Sequence, residues 1–444
     1  MFSTTRFITK HRNWCLFTVM AGATLIACFQ QVGLAAVSGE VAESLRIDVA
    51  SLGLLAAAFS YSYAAMQIPA GLLADTLGPR KSVTAALVLA AAATTVFAFS
   101  SDLGTSIIAR VVMGMGLAVI SVPQLKLIAV WFPISAFQRL TAIAFAISAI
   151  GPLFATSPMA YASANYGWRT PFVFLAVASL VFAVLIWLIV RDCPDKVAEL
   201  IDTSGSGQGT ANVTMRQTSV PGGMRLMGKL RCITTTRDAW ILGLWQFFQG
   251  GTYFAFIGLW GGQFLTSGLG IGIAESGLIL SLPSLALVSA PFISIISEKI
   301  GSARKMLLFL SCASVLLTVP LVIGLPRLPD IALSLYFLLF AVACFGGTAV
   351  LFTAAKEHFA VELAGTISGF INMFPFVGGA MMQQGMGLLV EHWLEGGMDA
   401  HRAISLSFGV FLLCALGSLL LAIKYRDAEP YDEKCKPCAQ ESGE

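Results

Sequence analysis

Two cations, Arg110 and Lys126, stand inside one long apolar run, 103–131, that contains no acidic residue. If the run is one helix, they lie ~24 Å apart at 1.5 Å per residue. A charge in such a setting is costly unless it meets a partner, a polar cavity or a ligand. Arg110 fits an anionic ligand or the carbonyls of neighbouring helices. Lys126, near the end of the run, fits a ligand or a snorkelling contact with lipid headgroups. Five amides add to the candidate set: Gln30 and Gln31, then Gln246 and Gln249, then Asn372, each within an apolar run. Each can orient a polar solute or tie one helix to another. Gln246 and Gln249 are three apart and share a face.

The missing residue types matter equally. No Asp, Glu or His falls near the middle of an apolar run; Glu40, Glu43, Glu275, Glu391 and Asp399 lie at or beyond the ends. An embedded carboxylate or histidine is the usual carrier of coupled protons. A cavity with positive but no negative charge suits an anion, so the expected cargo is a small anionic organic metabolite. Two alternatives stay open. One is a proton-coupled carrier of a neutral or zwitterionic solute such as a peptide or drug, with Asp75 or Glu40 as the proton site. The other is a sensor or scaffold without transport. Enzyme chemistry is not expected, since H-E-x-x-H, G-x-S-x-G and phosphate-loop patterns are absent and His11, His358, His392 and His401 lie outside helix centres.

These residues need a frame, and composition supplies it. Of 444 residues 57% are hydrophobic and 11% charged, with a mean hydropathy of +0.81; too little polar surface remains for a soluble globule of this size. A membrane-spanning helix needs roughly 20 apolar residues with every backbone group paired inside the segment. Twelve runs qualify. Six are Trp14 to Ala36, Ala50 to Ala74, Ser82 to Ser100, Leu103 to Trp131, Ala136 to Ala162 and Trp168 to Val190. The other six are Ala239 to Leu265, Ile273 to Ser297, Arg304 to Ile323, Ile331 to Ala355, Glu362 to Val390 and Ile404 to Ile423. The expected class is therefore an all-α integral membrane protein: a six-helix bundle over 1–190, a cytoplasmic loop over 191–237, a second bundle over 238–424 and a tail over 425–444.

Orientation follows from the cations in the connections. With both termini in the cytoplasm, the far side receives only Arg46, Arg169, Arg327 and Arg402. The net charge of +3 is thus a topology signal and no sign of nucleic acid binding. No signal-peptide pattern is present. The sequon Asn212 to Thr214 falls in the cytoplasmic loop and reads as a chance match, and the lone C-x-x-C of Cys435 and Cys438 supplies only half a tetrahedral metal site. No metal or cofactor is expected; the bilayer and a small solute are the expected partners, and the chain is expected to act as a monomer.

An internal repeat connects the halves. "DTLGPRK", Asp75 to Lys81, follows the second run, and "EKIGSARK", Glu298 to Lys305, follows the eighth. Each has an acid, then a glycine three residues later (Gly78, Gly301), then two cations (Arg80 and Lys81; Arg304 and Lys305). Asp75 stands near a helix C-terminus, where the dipole disfavours an anion, so it is a candidate latch that pairs in one arrangement of the halves and separates in another.

The stretch "GLLADTLGPRK" resembles the signature loop of the major facilitator superfamily, usually G-x-L-A-D-R-x-G-R-[RK]. Gly71, Leu73, Ala74, Asp75, Gly78, Arg80 and Lys81 match it, while Thr76 and Pro79 depart from it. "RVVMGMG", Arg110 to Gly116, is similar to the R-x-x-x-G-x-G of that family's fourth helix, "YGWRTPFVF" to its W-R-x-x-F, and "KEHFAVELAGTISGFINM" to the start of its eleventh helix. The resemblance implies two six-helix halves rocking about a central site lined by helices 1, 4, 7 and 10, which would let Arg110 and Lys126 face the cavity. A bacterial cytoplasmic membrane is the expected location.

Overall fold

The computed structural model describes residues 2–132, 134–192, 226–358 and 364–427. Every regular element among them is helical, as expected where backbone groups must be satisfied within each segment. In chain order these are α1 (Phe2–Val32), α2 (Leu34–Leu45), α3 (Val49–Thr76), α4 (Pro79–Phe99), α5 (Leu103–Ala118), α6 (Ser121–Trp131), α7 (Ile134–Phe154), α8 (Ser157–Tyr166) and α9 (Arg169–Ile189). Then follow α10 (Leu226–Thr235), α11 (Arg237–Ala255), α12 (Ile273–Ser281), α13 (Ala290–Ile300), α14 (Ala303–Ile323), α15 (Asp330–Phe345), α16 (Thr348–His358), α17 (Ala364–Glu395), α18 (Ala400–Ser407) and α19 (Gly409–Lys424).

Nine stretches of the described residues are long and apolar enough to cross a membrane: 13–32, 49–67, 79–99, 103–128, 169–189, 273–300, 303–323, 330–355 and 400–424. The expected runs at 136–162, 239–265 and 362–390 are helical as α7 with α8, α11, and α17. Within the expected loop, 226–235 forms helix α10, while 193–225 lies outside the described residues.

Several runs expected to be continuous are interrupted near their middles, and the sequence explains two of the breaks. After α11 the chain passes through π turns at Phe256–Trp260 and Phe264–Gly268. Gly258 and Gly262 sit here because a Cβ on the first would meet Gln383 Nε2 at 2.6 Å, and one on the second would meet the Ala35 carbonyl oxygen at 2.5 Å; the loosened helix admits neighbours a side chain would exclude. Between α12 and α13, Pro283–Ser289 tightens to 3-10 geometry beginning at its proline.

The first half packs α1 on α7 and α9, and α4 on α5 and α9; the second packs α11 on α17 and α19, and α14 on α15 and α19. The two halves meet principally along α3 and α17. Hydrogen bonds between them include Asn372 Nδ2 to Gln67 Oε1 at 3.1 Å, Tyr61 to Gln384 at 3.2 Å, Gln263 Nε2 to Ser38 Oγ at 2.9 Å and the Ala50 N–H to Glu391 Oε2 at 2.9 Å. The last two lie at the end of the bundle that carries Glu40, Glu43, Glu275 and Glu391, the acidic end. The turns at Gly78 and Gly301 mark the opposite, basic end.

Candidate functional site

Arg110 is 2% exposed. Its guanidinium carbon stands 4.7 Å over the Phe59 ring and 6.0 Å from Phe97, so α5 presents it to faces of α3 and α4. Close approach permits this: one turn on, a Cβ on Gly114 would strike the Phe59 carbonyl and Ser62. Aromatic faces supply attraction of about 2 kcal/mol or more in a desolvated setting, yet Nε and Nη1 have no hydrogen-bond partner. Unmet buried donors cost about 1–3 kcal/mol each. Arg110 therefore stands as a buried cation with unmet donors.

The aromatic cover leads toward the second half. Phe59 stacks on Tyr63 at 5.8 Å, and Tyr63 meets Phe376 of α17 at 4.4 Å between ring centroids. Phe376 in turn stacks on Phe254 at 4.8 Å, and Phe254 lies 5.3 Å from Phe345, which stacks on Tyr253 at 4.5 Å. A continuous file of rings thus runs from the buried cation across the contact between the halves.

The five candidate amides divide. Gln30 is fully buried inside the first half: its Nε2 donates to Ser179 Oγ at 2.8 Å and its Oε1 accepts from Thr94 Oγ1 at 2.7 Å. Gln249 donates Nε2 to Ser418 Oγ at 2.9 Å in the second half, and Ser418 donates to Ser311 Oγ at 3.1 Å, but unlike Gln30 it leaves its Oε1 buried without a partner. Gln31 is half-buried. Gln246 makes a long contact from Nε2 to Thr348 Oγ1, 3.4 Å, and its Oε1 is buried without a partner. Asn372 reaches across the halves to Gln67. Lys126 is half-buried on α6, beyond the break between α5 and α6 at Val119 and Ile120.

At the basic end, Gly78 has φ +79° and a Cβ there would meet the Asp192 carboxyl at 2.7 Å, so the turn requires glycine. Pro79 opens α4 at its first position. The Asp192 carboxylate accepts from the Arg80 N–H at 2.7 Å, while Arg80 Nε donates to the Trp187 carbonyl at 2.9 Å and its guanidinium covers the Trp187 ring at 4.3 Å. The second half repeats this: Asp427 accepts from the Arg304 N–H at 2.8 Å and the Ser302 hydroxyl at 2.5 Å, and Arg304 Nη2 donates to the Ile423 carbonyl at 2.8 Å. Gly301 is left-handed at φ +67°. Lys81, Lys305 and Glu298 are exposed. Gly71 and Asp75 belong to the backbone of α3, but the Asp75 side chain lies outside the described residues, so the latch assigned to it does as well.

Sequence reasoning passed over Asp192 and Asp427. Their signal is a second repeat, Arg-Asp at 191–192 and at 426–427, just after the last helix of each half. It also passed over Gln67 and Gln124, which are glutamines in apolar runs of the same kind as those singled out.

Residues 20–383 match the sequence profile of the Major Facilitator Superfamily. The chain belongs to this superfamily. It is 24% identical over 398 residues to the probable sulfoacetate transporter SauU of Cupriavidus necator, covering 87% of this chain and 88% of that one. It is also 24% identical over 402 residues to the hexuronate transporter of Escherichia coli, covering 86% and 88%. Among solved structures, the D-xylose-proton symporter superimposes with a TM-score of 0.72 at 14% identity over 94% of this chain and 99% of that one. An inward-facing bacterial homologue of the lysosomal transporter Spinster gives 0.68 at 13% identity, over 93% and 95%. This facilitator-superfamily protein is a membrane transporter and not an enzyme.

Proposed function

We propose that this transporter carries a small organic acid across a bacterial cytoplasmic membrane by alternating access, through twelve crossings with both termini on the cytoplasmic side. The observation that carries the reading is Arg110, a buried cation with two unmet donors and no carboxylate among its contacts. Relatives named for sulfoacetate, hexuronate and L-galactonate support it, since all three solutes are organic acids. The charge asymmetry of the connections supports the orientation. The central aromatic file supplies the coupling: as the halves part, Phe376 leaves Tyr63, the Phe59–Tyr63 stack is freed to swing, and the Arg110 charge is uncovered to the solute.

In proteoliposomes, wild type should take up labelled galactonate or sulfoacetate against an unlabelled counter-pool and should exclude xylose. Arg110→Gln should lose at least about tenfold in uptake, consistent with removal of a charge-assisted contact. PH-gradient-driven uptake of a neutral sugar with none of either acid would sink this reading in favour of proton-coupled carriage of neutral solutes.

A further inference from the structure

Gln383 on α17 grips the stretch after α11 on both sides of its first widened turn. Its Nε2 donates to the Phe254 carbonyl at 3.2 Å, just before the π turn Phe256–Trp260 begins. Its own carbonyl accepts from Trp260 Nε1, at the end of that turn, at 3.3 Å. Gln383 is 3% exposed and Trp260 is fully buried, so both bonds are made in the interior. Gly258, inside the turn, leaves the space that the amide occupies: a Cβ there would stand 2.6 Å from Nε2. The first half closes over the same place, since a Cβ on Gly53 of α3 would meet the Gln383 carbonyl oxygen at 2.6 Å.

A π turn is rare and recurs at functional sites, and a side chain that reaches into a helix's ladder is one cause of such a break. Relaxing the turn to α geometry takes up one residue, which rotates everything beyond it by about 100° around the axis. What lies beyond is a contact that closes the acidic end. Gln263 Nε2 donates to Ser38 Oγ at 2.9 Å, and Gly262 backs onto the Ala35 carbonyl. A rotation of that size carries both away from α2. On its near side the grip falls on the backbone of Phe254, whose ring stacks on Phe376 in the aromatic file. One side chain thus joins the central file to the closure at the acidic end.

We infer that Gln383 is a positioning residue that keeps the acidic end closed, by holding the turn Phe256–Trp260 in its wide form. The inference rests on the alternating-access reading above and assigns one residue to one of its two closures. When the grip is released the turn relaxes, Gln263 leaves Ser38 and the acidic end opens.

The test compares Gln383→Met, Gly258→Ala and the two together, in the full chain in proteoliposomes. Gln383→Met keeps the length of the side chain and loses the amide. Gly258→Ala keeps Gln383 and displaces its amide alone, because outside the glycine's own stretch of chain only Gln383 atoms lie within 4 Å of the new Cβ. Each protein also carries Ala36→Cys, on α2 in a half-buried place that lines a small cavity with Thr156, Thr266 and Gly277. Labelling by a membrane-impermeant maleimide is read thiol by thiol with mass spectrometry. Either change should speed labelling at position 36 by about threefold, the factor that one interhelical bond of average strength is worth. The double variant should do no more than either single one, because both remove the same bond. Cys344 and Cys414, both buried, should stay as unreactive as in wild type. Unaltered labelling at position 36, a double variant that sums the singles, or a parallel rise at Cys344 and Cys414 would overturn the inference and leave alternating access standing. Uptake of galactonate and sulfoacetate bears on the reading beneath it and should fall by a similar factor. Faster labelling at position 36 with unaltered uptake, or no uptake of either acid by wild type, would overturn that reading instead.

Discussion

Gln30 and Gln249 hold equivalent posts in opposite halves: each donates its amide nitrogen to a serine of its half's last helical stretch, Ser179 at 2.8 Å and Ser418 at 2.9 Å. A hydroxyl on α4 or α14 completes each set, Thr94 in one and Ser311 in the other. Three helices of each half are thereby tied at one level by a polar triad buried in apolar surroundings. Both amides hold their half together as a unit; Gln30 is spent on that task, while Gln249 keeps a buried Oε1 without a partner.

Loss of either triad should weaken stability modestly and independently. Thr94 and Ser179 also donate to the Ala90 and Leu175 carbonyls, and Ser418 to that of Ala415, so a leucine at Gln30 or Gln249 leaves the hydroxyls satisfied. With interhelical bonds in membranes averaging about 0.6 kcal/mol, each change should cost about 1 kcal/mol. The double variant should show the sum, because the sites share no partner. Equilibrium unfolding in detergent checks this, and a double variant no weaker than either single one would refute it.

Arg110 should trade stability for activity. Replacing a buried, unpaired cation with Arg110→Met removes unmet donors and should raise the stability of the ligand-free protein by about 1–3 kcal/mol, while uptake of organic acids disappears. A fall in stability of that size would show instead that the charge holds the helices together.

The acidic end should respond to a single side chain. A Cβ on Gly277 of α12 would meet Ala160 Cβ at 2.8 Å and the Thr156 carbonyl oxygen at 3.0 Å, both in the other half. Gly277→Val should therefore wedge α12 from α8. A cysteine introduced at Ser38, now 2% exposed, should react severalfold faster with a membrane-impermeant thiol reagent. Equal labelling rates in the presence and absence of the valine would rule out the wedge.

Two aspartates make a pH prediction. Bonds from Ser51, its hydroxyl first and then its N–H, hold the Asp48 carboxyl below the usual range, and the Thr105 N–H does the same for Asp102. Both pKa values are lowered on folding, so the stability they confer is present above the unfolded value of about 3.9 and is lost as pH falls through the folded one. Stability should hold level from pH 7 to about 4.5 in this respect. Below that, Asp48→Asn with Asp102→Asn should show a shallower acid decline than wild type. Parallel declines would refute it.

The helical class, the position of the turns at Gly78 and Gly301 and the repeat between the halves were legible in the sequence because they rest on composition and local chemistry. Gly78 is recognised from its residue type and its neighbour Pro79. Which way a buried side chain faces depends on packing that no single run contains. Thus Gln30, a candidate for the cavity by type, is consumed by Thr94 and Ser179, while Gln67, of the same type, accepts from Asn372 of the other half. Arg110 stood out by its cost, but Phe59 and Phe97 come from runs whose angle to α5 is set by glycines such as Gly114. The break between α5 and α6 does have a local signal: Pro123 has no N–H to donate to the Val119 carbonyl and its ring crowds that group, so the ladder lapses at Val119 and Ile120.

The seals at the basic end bear on how the chain is made. Arg80 and Asp192 are 112 residues apart, and Arg304 and Asp427 are 123 apart. At a synthesis rate of about 5–20 residues per second, the first turn of α4 waits on the order of ten seconds for the carboxylate that closes it. Asp192 also precedes every helix of the second half in the chain, so the first half can acquire this stitch before any of them exists. Assembly therefore carries its own schedule, with each half closed by an aspartate that follows its last helix.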